Sequence, residues 1–229
     1  RKRKRRGKIP NWDNEEWTET PVEIRGGECT VPSTSHACTL RWKFGYGKFP
    51  NEDRKGRVME NLFDSEKEAN DWNDMLSGDG RLRLCPEEVL YLMEHDRVYL
   101  MRNGVRQSIE ETFNYFHSLS NRFFNSFIVY RFLHRSGWTP RSGLPFGCDY
   151  LIYDGTPSDT HASAGILIED DRSISVLDRE TLIRSLGHDK KKLIIASVSL
   201  FGENRNYSDM DNSSVKTTTL ACTSINTFE

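Results

Sequence analysis

Apolar and polar positions are unevenly ordered along this 229-residue chain. Residues 1–80 show little periodicity; Trp12, Trp17, Trp42 and Trp72 stand there among polar residues, glycines and prolines. Within that stretch Glu60–Leu76 reads as a helix, with Gly78 just beyond its end. From Leu84 the pattern sharpens. Pro86-Glu-Glu opens a helix, because proline suits the first turn and acids suit its positive end. Arg97-Val-Tyr-Leu-Met101 alternates as a strand does, and Asn103-Gly104 is a two-residue hairpin signal. Ser108-Ile-Glu-Glu111 fits a capping box at the start of a further helix. Together these predict a small α/β module ending near Ser120.

Residues 121–136 carry Phe123, Phe124, Phe127, Ile128, Tyr130, Phe132 and Leu133, a helix with a broad apolar face. Gly137 stops it and Pro140 prevents its resumption. Strands are expected at about 148–153 and 162–168, with Asp170-Asp171 as a turn. Asp178 is expected to cap a short helix through Leu186 that Gly187 ends. Lys191–Leu200 is strongly β-like, and a polar loop from Glu203 to Ser214 leads to a last strand near Val215–Thr223. The expected order, α-β-β-β-α-β-β, gives a mixed sheet flanked by helices. The fold class is therefore α/β in the broad, α+β sense. Three stretches are expected: 1–80, a basic tail with a poorly defined region behind it; 81–120, the small α/β module; and 121–229, the mixed-sheet domain.

Charge changes the picture only locally. Net charge is −2, so the whole chain is no polycation. Seven of the 32 basic residues fall in Arg1–Lys8, leaving 25 against 34 acidic residues elsewhere. The body is acidic and the leading tail basic, which reads as a nuclear-localisation or polyphosphate-binding patch, or as a solvated tail. No apolar segment follows it, so a secretory signal is not expected, and no run of about 18 apolar residues predicts a membrane span. Five widely spaced cysteines, Cys29, Cys38, Cys85, Cys148 and Cys222, argue for a reducing compartment rather than a disulfide scaffold. Cys29, His36 and Cys38 lie close together, but no second pair completes a zinc site. Arg41-Trp-Lys-Phe-Gly-Tyr-Gly-Lys-Phe49 interleaves basic and aromatic residues, as a platform for single-stranded RNA does; it equally suits a strand packed on a neighbouring subunit.

The candidate chemistry sits at the ends of expected elements. Tyr153 closes one strand, His161 follows eight residues later at the start of the next, and Lys191 opens a third strand thirty residues after that. Singly, each suits an ordinary surface position. In combination they suit RNA, which carries its own nucleophile in the ribose 2′-hydroxyl. Such cleavage needs a base for that hydroxyl, an acid for the departing 5′-oxygen and a cation for the charge on phosphorus. Histidine, with an ordinary pKa near ~6.5, suits the acid. Lysine supplies a point charge. Tyrosine, with an ordinary pKa near ~10, is a poor base unless a neighbouring ammonium favours its phenolate. Tyr153 is thus the candidate base, His161 the acid and Lys191 the electrostatic stabiliser, with Lys190 and Lys192 offering neighbouring registers for the lysine.

The run from Tyr130-Arg-Phe-Leu-His-Arg-Ser-Gly-Trp through Gly143-Leu-Pro-Phe-Gly-Cys-Asp149-Tyr-Leu-Ile-Tyr153, followed by His161-Ala-Ser163 and Lys191-Lys-Leu-Ile-Ile195, resembles the catalytic subunits of tRNA-splicing endonuclease (tRNA-intron lyase). It is most like the subunit that cuts the 5′ splice site. Pro86-Glu-Glu-Val-Leu-Tyr-Leu92 resembles the helix that opens the family's preceding domain. The resemblance covers about 84–200 well, the last strand loosely, and none of 1–80. It implies a C-terminal nuclease domain and removal of introns from precursor tRNA without a metal or other cofactor, leaving a 2′,3′-cyclic phosphate and a 5′-hydroxyl. It implies a nuclear heterotetramer with a second catalytic subunit and two structural subunits. It also implies that Arg184, seven residues before Lys191, binds RNA by helping to sandwich an intron base. The family's tryptophan near the C-terminus is absent: the last strand offers Thr223, and Phe228 lies beyond it, so either base clamping is lost or Phe228 substitutes.

Other readings stay open at this point. Asp149, Asp154 and Glu169 with Lys191 resemble the acids and lysine of a metal-dependent nuclease, although Asp149 also reads as a turn residue binding the backbone. A non-catalytic structural or RNA-binding subunit of the same kind of complex has no need to keep Tyr153, His161 and Lys191 together. A nuclear RNA-binding module using the basic tail predicts binding that falls steeply with salt and no cleavage.

Overall fold

The computed structural model describes residues 17–50, 81–157, 160–169, 175–188, 191–200 and 205–220. The basic tail, the expected helix Glu60–Leu76, the Asp170-Asp171 turn, Lys190, Cys222 and Phe228 lie outside the described residues. The chain divides into two compact units, one holding the described residues through Phe116 and the other those from His117 onward. The fold is α+β, with a five-stranded mixed sheet in each unit.

In the first unit β1 (Thr20–Arg25) and β2 (Glu28–Val31) form a hairpin closed by Gly26-Gly27. Both glycines have positive φ, 57° and 83°, the backbone that a two-residue turn requires. A short helix α1 (Thr34–Cys38) and a π-helical turn (Thr39–Lys43) follow. Then come β3 (Leu82–Leu84), α2 (Pro86–Glu94), β4 (Val98–Arg102), β5 (Val105–Arg106) and α3 (Ile109–Leu119). The sheet order is β3-β2-β1-β4-β5. The strands of 20–31 and 82–106 therefore share one sheet. The parallel pairing of β1 with β4, Val22 opposite Leu100, joins segments far apart in sequence, which no local pattern reveals.

Local signals around Pro86 and Ser108 are expressed as geometry. The Cys85 and Gly47 amides donate to the two Glu88 carboxylate oxygens at 2.9 Å each, so this buried acid joins α2 to the preceding loop. The Ser108 amide donates to Glu111 at 2.8 Å and the Glu111 amide to the Ser108 hydroxyl at 3.2 Å, the reciprocal bonds of a capping box. The interleaved stretch 41–49 departs from both of its expected uses. Phe44, Tyr46 and Phe49 are buried in the core of this unit, because helical winding over 39–43 and the turns at Gly45 and Gly47 fold the rings inward rather than displaying them.

The second unit begins with α4 (Phe123–Arg135), closed by Gly137 at φ 82°. Then come β6 (Thr139–Ser142), a 3-10 turn (Leu144–Phe146), β7 (Tyr150–Tyr153), β8 (Ala164–Glu169), α5 (Val176–His188), β9 (Lys192–Leu200), a second 3-10 turn (Tyr207–Asn212) and β10 (Ser213–Leu220). The order α-β-β-β-α-β-β has the expected count, although only two of the three strands between the helices were located from the sequence. Its first strand is β6, where no stretch stood out because Pro140 interrupts the pattern. A proline is tolerated there because β6 lies at the sheet edge, in the order β10-β9-β8-β7-β6. Helix α5 begins earlier than expected. Its cap is Ser175, whose hydroxyl accepts the Asp178 amide at 3.1 Å, so Asp178 sits inside the first turn.

Alternation decides what each face of this sheet meets. Tyr150 turns toward α4: its hydroxyl donates to the Ser126 carbonyl at 3.2 Å and its ring lies 5.8 Å from that of Tyr130. Leu151 and Tyr153 face the other way, packing with Cys148, Leu167, Leu186 and Leu193 beneath α5. Ala164–Ile168 of β8 is buried throughout, as befits a central strand covered on both faces. Among the described residues, no helix is long and apolar enough to cross a membrane.

Candidate active site

The site is built at one end of the second sheet. Strands β7 and β8 pair antiparallel, Ile152 opposite Ala164, so the end of β7 meets the start of β8. Strands β8 and β9 pair parallel, Ala164 opposite Lys192, so both begin at that same end. Tyr153 therefore closes β7 where His161 approaches β8 and Lys191 approaches β9. These three side chains line one open cleft of about 540 Å³ with Phe146, Leu151, Pro157, Thr160 and Ala162. Tyr153 and Lys191 are half-buried and His161 is exposed.

Backbone bonds hold each approach. The Ser163 amide donates to the Ile152 carbonyl at 2.8 Å, tying the loop that carries His161 back onto β7. The Thr160 amide and hydroxyl both donate to the Thr156 carbonyl, at 3.2 and 3.0 Å, which closes the loop below His161. The Lys191 amide donates to the Leu186 carbonyl at 2.9 Å, anchoring the residue to the end of α5, and its ammonium lies 4.9 Å from the centre of the Phe146 ring. Lys191 lines the cleft, whereas Lys192 is exposed at the first position of β9 and is absent from the lining. Residue spacing alone could not make that distinction.

The remaining candidates lie elsewhere. Arg184 is on α5, largely exposed, with its guanidinium 3.6 Å from Glu180 one turn back; it does not line the cleft. Asp149 is a structural acceptor. One carboxylate oxygen takes the Ile168 amide at 2.7 Å and the other takes Arg122 at 3.2 Å, fastening β7 and β8 to the start of α4. Glu169 pairs with Arg179 at 3.5 Å. Among the described residues, no three His, Cys, Asp or Glu side chains converge as metal ligands. His36 spends both ring nitrogens on the hydroxyls of Ser33 and Thr18, at 2.9 and 3.2 Å, and burial pushes the Cys29 and Cys38 thiols up to about 12 and about 11. Both effects work against the zinc reading.

Asp149 gives a test of the structural role against the metal-ligand reading. Asp149→Ala is expected to destabilise the protein by about 2–3 kcal/mol, because the Ile168 amide loses its acceptor in a part-buried setting. Asp149→Asn keeps an acceptor oxygen and is expected to cost about 1 kcal/mol and leave RNA cleavage near wild type. Thermal unfolding checks the first; a cleavage assay checks the second, where a metal ligand would lose most activity.

Sequence reasoning missed Phe146 as part of the cleft. The available signal was the pair Gly143 and Gly147, one residue type needed at both ends of a tight turn. A Cβ on Gly143 would lie 2.5 Å from Cys148 Sγ and 2.7 Å from the Cys148 carbonyl; Gly147 has φ 76°.

Comparison with known proteins follows this geometry. The family model described as "tRNA intron endonuclease, catalytic C-terminal domain" matches residues 123–206, from α4 past β9. The tRNA-splicing endonuclease of Methanothermobacter thermautotrophicus is 30% identical over 120 residues, covering 51% of this chain and 69% of that protein. The tRNA-splicing endonuclease subunit SEN2 of Saccharomyces cerevisiae is 32% identical over 77 residues, 33% of this chain but 20% of that subunit. The probable tRNA-splicing endonuclease subunit Sen2 of Oryza sativa subsp. japonica is 33% identical over 89 residues, 38% of this chain and 30% of that subunit.

Proposed function

The chain belongs to the tRNA-splicing endonuclease family, and from that premise we propose that it removes introns from precursor tRNA using its own three side chains and no metal ion. The observation that carries this reading is the convergence of a phenol, an imidazole and an ammonium in one cleft. Tyr153, as phenolate, takes the proton of the ribose 2′-hydroxyl at the splice site. The 2′-oxygen attacks the adjacent phosphorus. Lys191 balances the charge that builds on the non-bridging oxygens of the phosphorane. His161, as imidazolium, gives its proton to the departing 5′-oxygen. The products are a 2′,3′-cyclic phosphate and a 5′-hydroxyl, and the two proton transfers leave tyrosine protonated and histidine neutral.

The chain acts at the 5′ splice site, as one subunit of a nuclear heterotetramer with a second catalytic subunit and two structural ones. The relatives named as subunits of tRNA-splicing endonuclease support a place in a multi-subunit complex, the basic stretch Arg1–Lys8 suits a nuclear address, and the 5′ site rests on the resemblance of the run Tyr130–Tyr153. Arg184 leaves its exposed contact with Glu180 to stack on an intron base, a step that its solvent-facing position allows.

The test is cleavage of intron-containing precursor tRNA by the reconstituted complex in excess chelator, with analysis of both new ends. The expected result is full-rate cleavage leaving cyclic phosphate and 5′-hydroxyl at the 5′ exon–intron junction. Chelator-sensitive cleavage, or a 3′-hydroxyl end, would sink the mechanism; cutting confined to the other junction would sink the site assignment.

A further inference from the structure

The cleft contains one aromatic side chain with no part in the proton transfers. Phe146 sits on the short turn Leu144–Phe146, and its ring centre is 4.9 Å from Lys191 Nζ, inside the roughly 6 Å reach of a cation–π contact. The turn is constructed to hold that ring. The Phe146 amide donates to the Gly143 carbonyl at 2.9 Å, and the Gly147 amide to the Leu144 carbonyl at 3.0 Å. Gly147 ends the turn in the left-handed region, where an added Cβ would lie 2.9 Å from Leu182 of α5. Gly143 runs against Cys148 so closely that no side chain fits. Within this turn Leu144 is 80% exposed, while Phe146 is half-buried, packed against the core around Leu151 and Leu193 with Lys191 on its face.

We propose that Phe146 is a positioning residue for Lys191, a role that rests on Lys191 acting as the counter-charge to the phosphorane. A lysine side chain has four flexible bonds and a compact, strongly hydrated charge, so a free ammonium spreads over many rotamers. The ring face offers it an attractive site on the wall of the cleft. The ammonium is thereby held near the place where the phosphate must sit, before RNA arrives. The benefit is realised in the chemical step, since charge on the non-bridging oxygens grows only there.

The test replaces Phe146 in the full chain, within the reconstituted complex, by 4-fluoro-, 3,5-difluoro- and 3,4,5-trifluorophenylalanine. These keep the ring's shape while withdrawing the negative charge from its face. The expected result is a stepwise fall in kcat of roughly tenfold across the series with KM nearly unchanged, the rate equivalent of one such contact. Phe146→Leu should match the end of the series and Phe146→Tyr should restore most of the rate. In a Lys191→Ala background none of these changes should cost anything further. A kcat insensitive to fluorination overturns the proposal. So does a rise in KM at constant kcat, which would mean that the ring stacks on RNA instead. Lys191→Ala in the same assay separates the two levels. If it leaves kcat intact, the reading of Lys191 itself falls; if it abolishes cleavage while fluorination has no effect, only the role of Phe146 falls.

Discussion

Replacing His161 with alanine is expected to slow single-turnover cleavage of precursor tRNA by about 100- to 10,000-fold, the range for loss of a general acid. Binding of RNA and thermal stability should stay near wild type. His161 is exposed on the loop before β8, and the fold is held there by the backbone bonds of Ser163 and Thr160 rather than by the imidazole. The acid role has a sharper signature than the rate itself. A substrate whose 5′-bridging oxygen is replaced by sulfur leaves as a thiolate and needs far less help from an acid. That substrate should recover most of the rate in His161→Ala. It should recover little in Tyr153→Phe, where the 2′-hydroxyl lacks its base, or in Lys191→Ala, where the non-bridging charge is unmatched. Equal recovery in all three variants, or none in His161→Ala, would remove histidine from the acid role.

The second large effect is structural. Phe127→Ala is expected to destabilise the second unit by about 3–5 kcal/mol, the cost of an aromatic-sized cavity in a packed core. Phe127 is fully buried on α4, its ring stacked 6.0 Å from Phe123 and 5.9 Å from the Arg131 guanidinium. Helix α4 backs the sheet that carries the cleft, through contacts such as Tyr150 on Ser126 and Tyr130. A cavity there loosens the support of β7, whose far end holds Tyr153. Phe127→Leu retains most of the volume and should cost about 1 kcal/mol. Denaturant unfolding of the two variants checks the ratio. Similar losses for both would show that α4 is not packed as described.

The local chemistry of the chain was legible before any coordinates. Pro86 with Glu88, Ser108 with Glu111, Asn103-Gly104, and the apolar face from Phe123 to Leu133 each encode an element through contacts a few residues apart. Where reasoning from the sequence went astray, a distant partner was involved. Pro140 hid an edge strand because only sheet order shows that no donor is needed there. The aromatics of 41–49 looked like a display surface because alternation of residue types does not say which side of the chain the core lies on. Phe146 was read only as part of the run Gly143–Asp149 and given no place in the site, because a ring becomes informative there only when a charge is found beside it.

For the candidate site, the sequence by itself determined which groups exist and that each stands at an element's end: Tyr153 after one strand, His161 and Lys191 before two others. Whether those ends coincide was decided by the tertiary structure alone. The antiparallel register of β7 with β8 and the parallel register of β8 with β9 bring the three to one end of one sheet. Strand registers are set by which apolar faces α4 and α5 cover, an energy summed over many residues distant along the chain. No spacing of three residues contains that information. Of Lys191 and Lys192, it is Lys191 that lines the cleft, because it stands just before β9 at the end of the sheet where Tyr153 and His161 lie.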